Sequence, residues 1–186
     1  MTDDVSKTDE EIAMLVQKGN SAVFGRLVIR YEDKLLRYGR KFLTGIHDVQ
    51  DIVQEVFLKA YVNIKSFDSS RRFSPWIYRI AHNEFVNALK RRQRELFMTL
   101  ELDVFLPGLL AKETADADLD KKEAMALMDQ YLADIDPKYR EILVLYYFEE
   151  KDYNEISEIL HIPVSTVGVR LARGRAMLKK SFAHSI

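Results

Sequence analysis

Apolar residues recur at intervals of three and four along almost the whole chain, the spacing that lines one face of an α-helix. The clearest stretch is Val49, Ile52, Val53, Val56, Phe57, Ala60 and Tyr61, which leaves Asp48, Gln50, Asp51, Gln54 and Glu55 on the opposite side. Ile12, Leu15 and Val16, then Val23, Phe24, Leu27, Val28 and Tyr31, follow the same rule on either side of a Gly19-Asn20-Ser21 break. Ser74-Pro75 predicts a further helix start, because serine is a good N-cap acceptor and proline suits a first turn whose N–H has no partner. Behind it run Trp76, Ile77, Ile80, Ala81, Phe85 and Leu89. Asp136-Pro137 repeats that start and opens a helix through Tyr147.

This regularity lapses between about 98 and 118, around Pro107-Gly108. From Glu95 to Asp136 there are eleven acids against three lysines. Such a stretch predicts a flexible acidic linker. The expected fold class is all-α, with two small helical domains at 8–97 and 119–184 joined by a linker at 98–118. Helices are expected to resume at about Asp120.

Composition narrows the chemistry. With 186 residues the chain holds one or two domains. It has no cysteine, which excludes disulfide scaffolds, thiol catalysis and cysteine-based metal centres. The seven glycines never fall two or five apart, so neither a dinucleotide fingerprint nor a P-loop can be drawn. His47, His82, His161 and His184 form no HExxH pair, and His82-Asn83-Glu84 lacks the downstream cysteines of a deaminase. No cofactor and no metal are expected, and an enzyme is the weakest of the functional readings. The segment Met1 to Glu11 carries five acids and one lysine, the reverse of a signal peptide's basic head. The longest apolar run, Ile142 to Phe148, is seven residues, far below a membrane span. A soluble cytoplasmic protein without membrane insertion is the expectation.

Charge is unevenly spread, although 28 Lys and Arg nearly balance 29 Asp and Glu. Arg71, Arg72, Arg79, Lys90, Arg91, Arg92 and Arg94 form one block whose only acid is Glu84. Arg170, Arg173, Arg175, Lys179 and Lys180 form a second with no acid at all. Two basic blocks on an anionic chain point to two polyanion contacts, the plainer alternative being two solvated helix ends. Aromatic residues accompany the first block: Phe67, Phe73, Trp76, Tyr78 and Phe85. Trp76, Ile80 and Phe85 fall on the apolar side of their helix. Phe67, Asp68, Arg71, Arg72 and Phe73 lie in the polar loop before it, where an unpaired base could stack. The second block follows a helix-turn-helix pattern, Tyr153 to Leu160, then His161-Ile162-Pro163, then Val164 onward. Ser165 and Thr166 stand at the start of the second helix, and Arg170 and Arg173 on its polar side, within reach of a major groove.

Three stretches together resemble bacterial RNA polymerase sigma factors of the extracytoplasmic-function type. Asp48 to Tyr61 is similar to the helix that grips the polymerase's largest subunit. Phe67 to Asn83 is similar to the loop and helix that open and read the −10 element. Tyr153 to Leu178 is similar to the motif that reads the −35 element, and Asp136 to Glu141 adds to the likeness. The resemblance implies that Asp48, Asp51, Gln54 and Glu55 bind core polymerase. It assigns Phe67, Asp68, Arg71, Arg72, Phe73, Arg79, Asn83, Asn87 and Arg91 to the −10 strand. It assigns Ser165, Thr166, Arg170, Arg173 and Arg175 to the −35 duplex. In this family a base is flipped from the strand into a pocket, a cost offset by stacking and phosphate contacts. The implied partners are core RNA polymerase, through its clamp helices and flap, promoter DNA both duplex and single-stranded, and an anti-sigma factor.

The chain departs from the family pattern in three places. His161 stands where the turn usually carries glycine, so either His161 adopts a left-handed conformation or the turn differs. Gly168 replaces a frequent lysine, and Val169 a commonly small polar residue. Two other functions compete: an autonomous helix-turn-helix regulator, and a sigma mimic that titrates an anti-sigma factor without touching DNA.

Overall fold

The computed structural model describes residues 7–44, 46, 48–100 and 127–183. All regular structure among them is helical. The first lobe comprises α1 (Asp9–Gln17), α2 (Phe24–Phe42), α3 (Val49–Asn63) and α4 (Phe73–Leu100), with short 3-10 turns before α2 and after α3. The second comprises α5, covering 127–133, then α6 (Pro137–Tyr147), α7 (Tyr153–Leu160) and α8 (Val164–Ala183). α4 runs to Leu100, three residues into the segment assigned to the linker; the rest of that segment, and the expected restart at Asp120, lie outside the described residues.

The predicted caps are partly met. Asp136 accepts a hydrogen bond from the Lys138 N–H at 3.0 Å, with Pro137 at the first helical position. Ser74 does not cap α4, which begins at Phe73. The Phe73 N–H instead donates to Glu10 Oε1 at 2.8 Å, so a carboxylate on α1 satisfies the first turn of α4. The Ser74 hydroxyl is left to accept from Lys151 Nζ at 2.9 Å.

In the first lobe Leu27, Leu35, Tyr38, Val56, Ile77 and Phe85 are fully buried, and in the second Ile142, Leu145, Ile156, Ile159, Val167 and Leu171. These residues belong to one contiguous cluster, because the lobes pack directly, α2 on α6 and α4 on α7. Polar groups tie the seam. Glu149 receives Arg37 Nε at 2.7 Å, Arg37 Nη2 at 2.9 Å and the Tyr78 hydroxyl at 2.6 Å. Glu141 Oε1 receives the Tyr38 hydroxyl and lies 2.5 Å from His82 Nδ1. Lys41 pairs with Asp129 at 2.7 Å, and Arg140 donates to the Thr44 hydroxyl. Arg140, Glu141 and Glu149 are all buried, and no local sequence pattern marks them as contacts between the lobes.

Candidate nucleic-acid interface

Helical geometry sorts α4 into two sides. Ile77, Tyr78, Ala81, Phe85 and Ala88 are buried. Residues four apart, Arg79, Asn83, Asn87 and Arg91, share another face. Asn83, Asn87 and Arg91 are exposed and Arg79 is half-buried. The stripe sets two amides, each both donor and acceptor, between two permanent cations. Lys90 and Arg94 are also exposed, whereas Arg92 turns inward and donates to the Thr44 carbonyl at 2.8 Å.

The loop before α4 is held from below. Asp68 Oδ1 accepts from both the Ser70 N–H (3.0 Å) and the Ser70 hydroxyl (2.7 Å), forming an Asx-type turn. These bonds hold its carboxyl below the usual range. Gln17 Nε2 donates to the carbonyls of Ile64 (2.8 Å) and Phe67 (2.7 Å), pinning the start of the loop to α1. Arg71 and Arg72 project into solvent, Arg72 lying 3.5 Å from Glu155 of α7. Phe67 and Phe73 correct the sequence-based expectation. Their rings are 4% and 0% exposed, packed against each other and against the half-buried Trp76 with centroids 5.2–5.4 Å apart. Both rings are therefore the floor of the loop, with no free face for a base.

Asp48, Asp51, Gln54 and Glu55 all lie exposed on or beside α3. Asp48, Asp51 and Glu55 line one groove together with Asn87 and Arg91 of α4. Lys59 bridges its walls, 2.6 Å from Glu84 and 3.6 Å from Glu55. The surfaces expected to meet polymerase and the −10 strand are thus adjoining sides of one groove.

In the second lobe α7 has a full capping box. Asp152 accepts from the N–H groups of Asn154 and Glu155, and Glu155 returns a bond to the Asp152 N–H. α7 ends on His161 at φ 52°, ψ 45°, so the turn keeps its left-handed geometry with histidine in place of glycine. Val167, Leu171 and Gly174 bury one face of α8, Gly174 close against Leu143. Ser165, Arg173 and Arg175 are exposed, and Thr166 is half-buried. Arg170 is half-buried and lines a cleft between the lobes with Phe42, His82, Leu160 and Glu141. Among the described residues no helix is long and apolar enough to cross a membrane.

Comparison with known proteins agrees with this arrangement. Residues 27–95 match Sigma-70 region 2 and residues 125–178 match Sigma-70, region 4. The chain is 37% identical over 172 residues to the ECF RNA polymerase sigma factor SigW of Bacillus subtilis, covering 89% of this chain and 91% of that one. It is 31% identical to the RNA polymerase sigma-H factor of Pseudomonas aeruginosa, covering 93% of each. Its fold is similar to CnrH, solved in complex with the cytosolic domain of CnrY (TM-score 0.71, 25% identity, 96% and 99% covered). A second likeness of fold is to the sigma factor RpoE of Bartonella quintana, solved with the anti-sigma factor NepR (TM-score 0.69, 22% identity, 84% and 94% covered). Two helical lobes with these motifs in this order, and a relative this close over nearly the whole length, identify the chain as a member of the extracytoplasmic-function sigma factors, which direct bacterial RNA polymerase to its promoters.

Proposed function

We propose a division of labour for this sigma factor: Asp48, Asp51, Gln54 and Glu55 bind a basic surface of core polymerase. Arg79, Asn83, Asn87 and Arg91, with Asp68, Arg71 and Arg72 of the loop, receive the −10 strand. Ser165, Thr166, Arg170, Arg173 and Arg175 meet the −35 duplex. Phe67 and Phe73 serve the −10 site from inside, by holding the loop. The observation that carries this reading is the stripe of two asparagines between two arginines, exposed from Asn83 onward, whose Asn87 and Arg91 line the acidic groove of α3. Cations of the stripe supply phosphate affinity, and the amides supply base-edge hydrogen bonds once the strand is unpaired. Polymerase engaging the acids would then hold the strand-reading face next to the melted bases.

Promoter binding requires the lobes to part. The −35 and −10 elements lie roughly 25 base pairs apart, about 85 Å at 3.4 Å per pair. A packed chain of this length is only about 40 Å across. The seam at Glu141 and Glu149 therefore opens on the promoter, and Arg170 leaves its cleft to reach the duplex. The action is that of a cytoplasmic, non-catalytic subunit. An anti-sigma factor is a further partner in this proposal, in keeping with the RpoE–NepR complex of similar fold.

The test is transcription from a promoter library with purified core polymerase. The wild-type chain is expected to direct initiation. Asp51→Lys should lose core binding, Asn83→Ala should bind core but open promoters poorly, and Arg173→Ala should lose upstream affinity. A chain that binds no core polymerase, or duplex binding that is complete without it, overturns the proposal in favour of an autonomous regulator.

A further inference from the structure

Val169 lies on the solvent-facing side of α8. At 3.6 residues per turn it lies on the opposite side from Val167 and Leu171, both fully buried. It is 51% exposed in the second turn of the helix. Its neighbours on that crest are Ser165, one turn before, and Ala172, Arg173 and Ala176 after it, all exposed. The crest is therefore mainly apolar around Val169, with Arg173, one turn further on, as its one long cation.

Such a crest has a specific consequence in a major groove. The N-terminal part of a recognition helix lies against the base edges. Thymine alone presents a methyl group there, and small apolar side chains are its natural complement. Valine is branched at Cβ and keeps one dominant rotamer in a helix, so its two methyls hold a fixed direction. It offers no hydrogen bond to guanine, cytosine or adenine, and a purine or cytosine edge facing it would lose hydration without compensation. Alanines at 172 and 176 let the helix approach closely. Gly174, on the buried side, lies against Leu143, with a Cβ there only 3.0 Å from Leu143 Cγ, which fixes the helix rotation that turns Val169 outward.

We infer that Val169 is a specificity-determining residue that selects thymine in the −35 element by contact with the thymine methyl. This rests on α8 reading the −35 duplex, as proposed above.

The experiment uses the full chain with core polymerase. Upstream sequences are selected from a library randomised over the −35 region, and each thymine of the selected duplex is then replaced singly by deoxyuridine, which removes only the methyl. Loss of one buried methyl corresponds to about a three- to fivefold weaker binding. That loss is expected at one or two thymines with the wild-type chain, and should vanish in Val169→Ala, which preserves an exposed helical position. Arg173→Ala should weaken the thymine and deoxyuridine duplexes by the same factor. A selected element without thymine, no sensitive thymine, or full sensitivity retained in Val169→Ala overturns the inference while leaving −35 reading intact. Absence of any upstream sequence preference overturns the −35 assignment itself.

Discussion

Arg37 on α2 and Glu149 just beyond α6 face each other as a bidentate pair, Nε to Oε1 at 2.7 Å and Nη2 to Oε2 at 2.9 Å. Glu149 is buried, its side chain 1% exposed, and also receives the Tyr78 hydroxyl from α4. One acid of the second lobe thus gathers two elements of the first. Removing it leaves a buried hydroxyl without its acceptor. Glu149→Ala is expected to cost about 1–3 kcal/mol, read as a lower urea midpoint together with faster amide exchange in α6 and α7. An unchanged midpoint would mean that the apolar seam alone holds the lobes.

Alkaline pH should act on the same seam. Burial raises Tyr38, whose neighbour Glu141 adds to the shift; burial raises Tyr78 beside Glu149 and Tyr31 beside Asp9. All three lie above the ordinary value of 10.0, so the folded chain holds their protons more tightly than the unfolded one. Their stabilisation is complete below pH 10 and drains away as pH climbs toward the folded-state values. Lys151, lowered by burial from 10.5, works in the opposite sense as pH rises toward that value, but it is one group against three. Stability measured from pH 10 upward should therefore fall, and the fall should be shallower in Tyr38→Phe. Tyrosinate absorbance from these three rings should emerge only with unfolding.

His161 holds a left-handed conformation that a side chain with Cβ tolerates at a cost. His161→Gly should stabilise the second lobe by up to about 1–2 kcal/mol, less what the freer unfolded chain gains. Thermal unfolding checks it, and a lower melting temperature would indicate that the imidazole makes a compensating contact.

Two glycines should respond oppositely to alanine. A Cβ at Gly39 would lie 2.6 Å from Val49 Cγ1 and 3.0 Å from Phe85 Cζ, both on stiff buried side chains. Gly39→Ala is expected to destabilise by about 1–3 kcal/mol through overpacking. At Gly168 the nearest atom is Tyr153 Cε2 at 3.6 Å, an ordinary contact. Gly168→Ala should therefore gain up to about 1 kcal/mol of helix propensity. Paired denaturation curves decide both.

Much of the fold was legible because its signals are local. The period of Val49 to Tyr61 marked α3, and Asp136-Pro137 marked α6 to the residue. The turn of the helix-turn-helix was readable in outline, and the backbone settles its open question in favour of a left-handed His161. Less legible were residues whose partners are remote. Phe67 and Phe73 stand in a polar stretch, yet they are core, because Trp76 and Tyr31 close over them. Local cap chemistry points to Ser74 for the N-terminus of α4, while the working acceptor, Glu10, comes from 63 residues before Phe73.

The amino-acid sequence on its own determined the helices, the two basic blocks and the family, since helix period, capping chemistry and motif order are written within a few residues of one another. Only the tertiary structure decided which charges remain free. Glu141, Glu149 and Arg140 have the composition of surface residues and lie in the seam, and Arg170 of the reading helix turns into the cleft between the lobes while Arg173 and Arg175 stay in solvent. The physical reason is that burial of a polar group depends on finding a partner across the fold. Tyr38 and Glu141 are 103 residues apart and Arg37 and Glu149 are 112 apart, separations at which no local pattern carries the pairing.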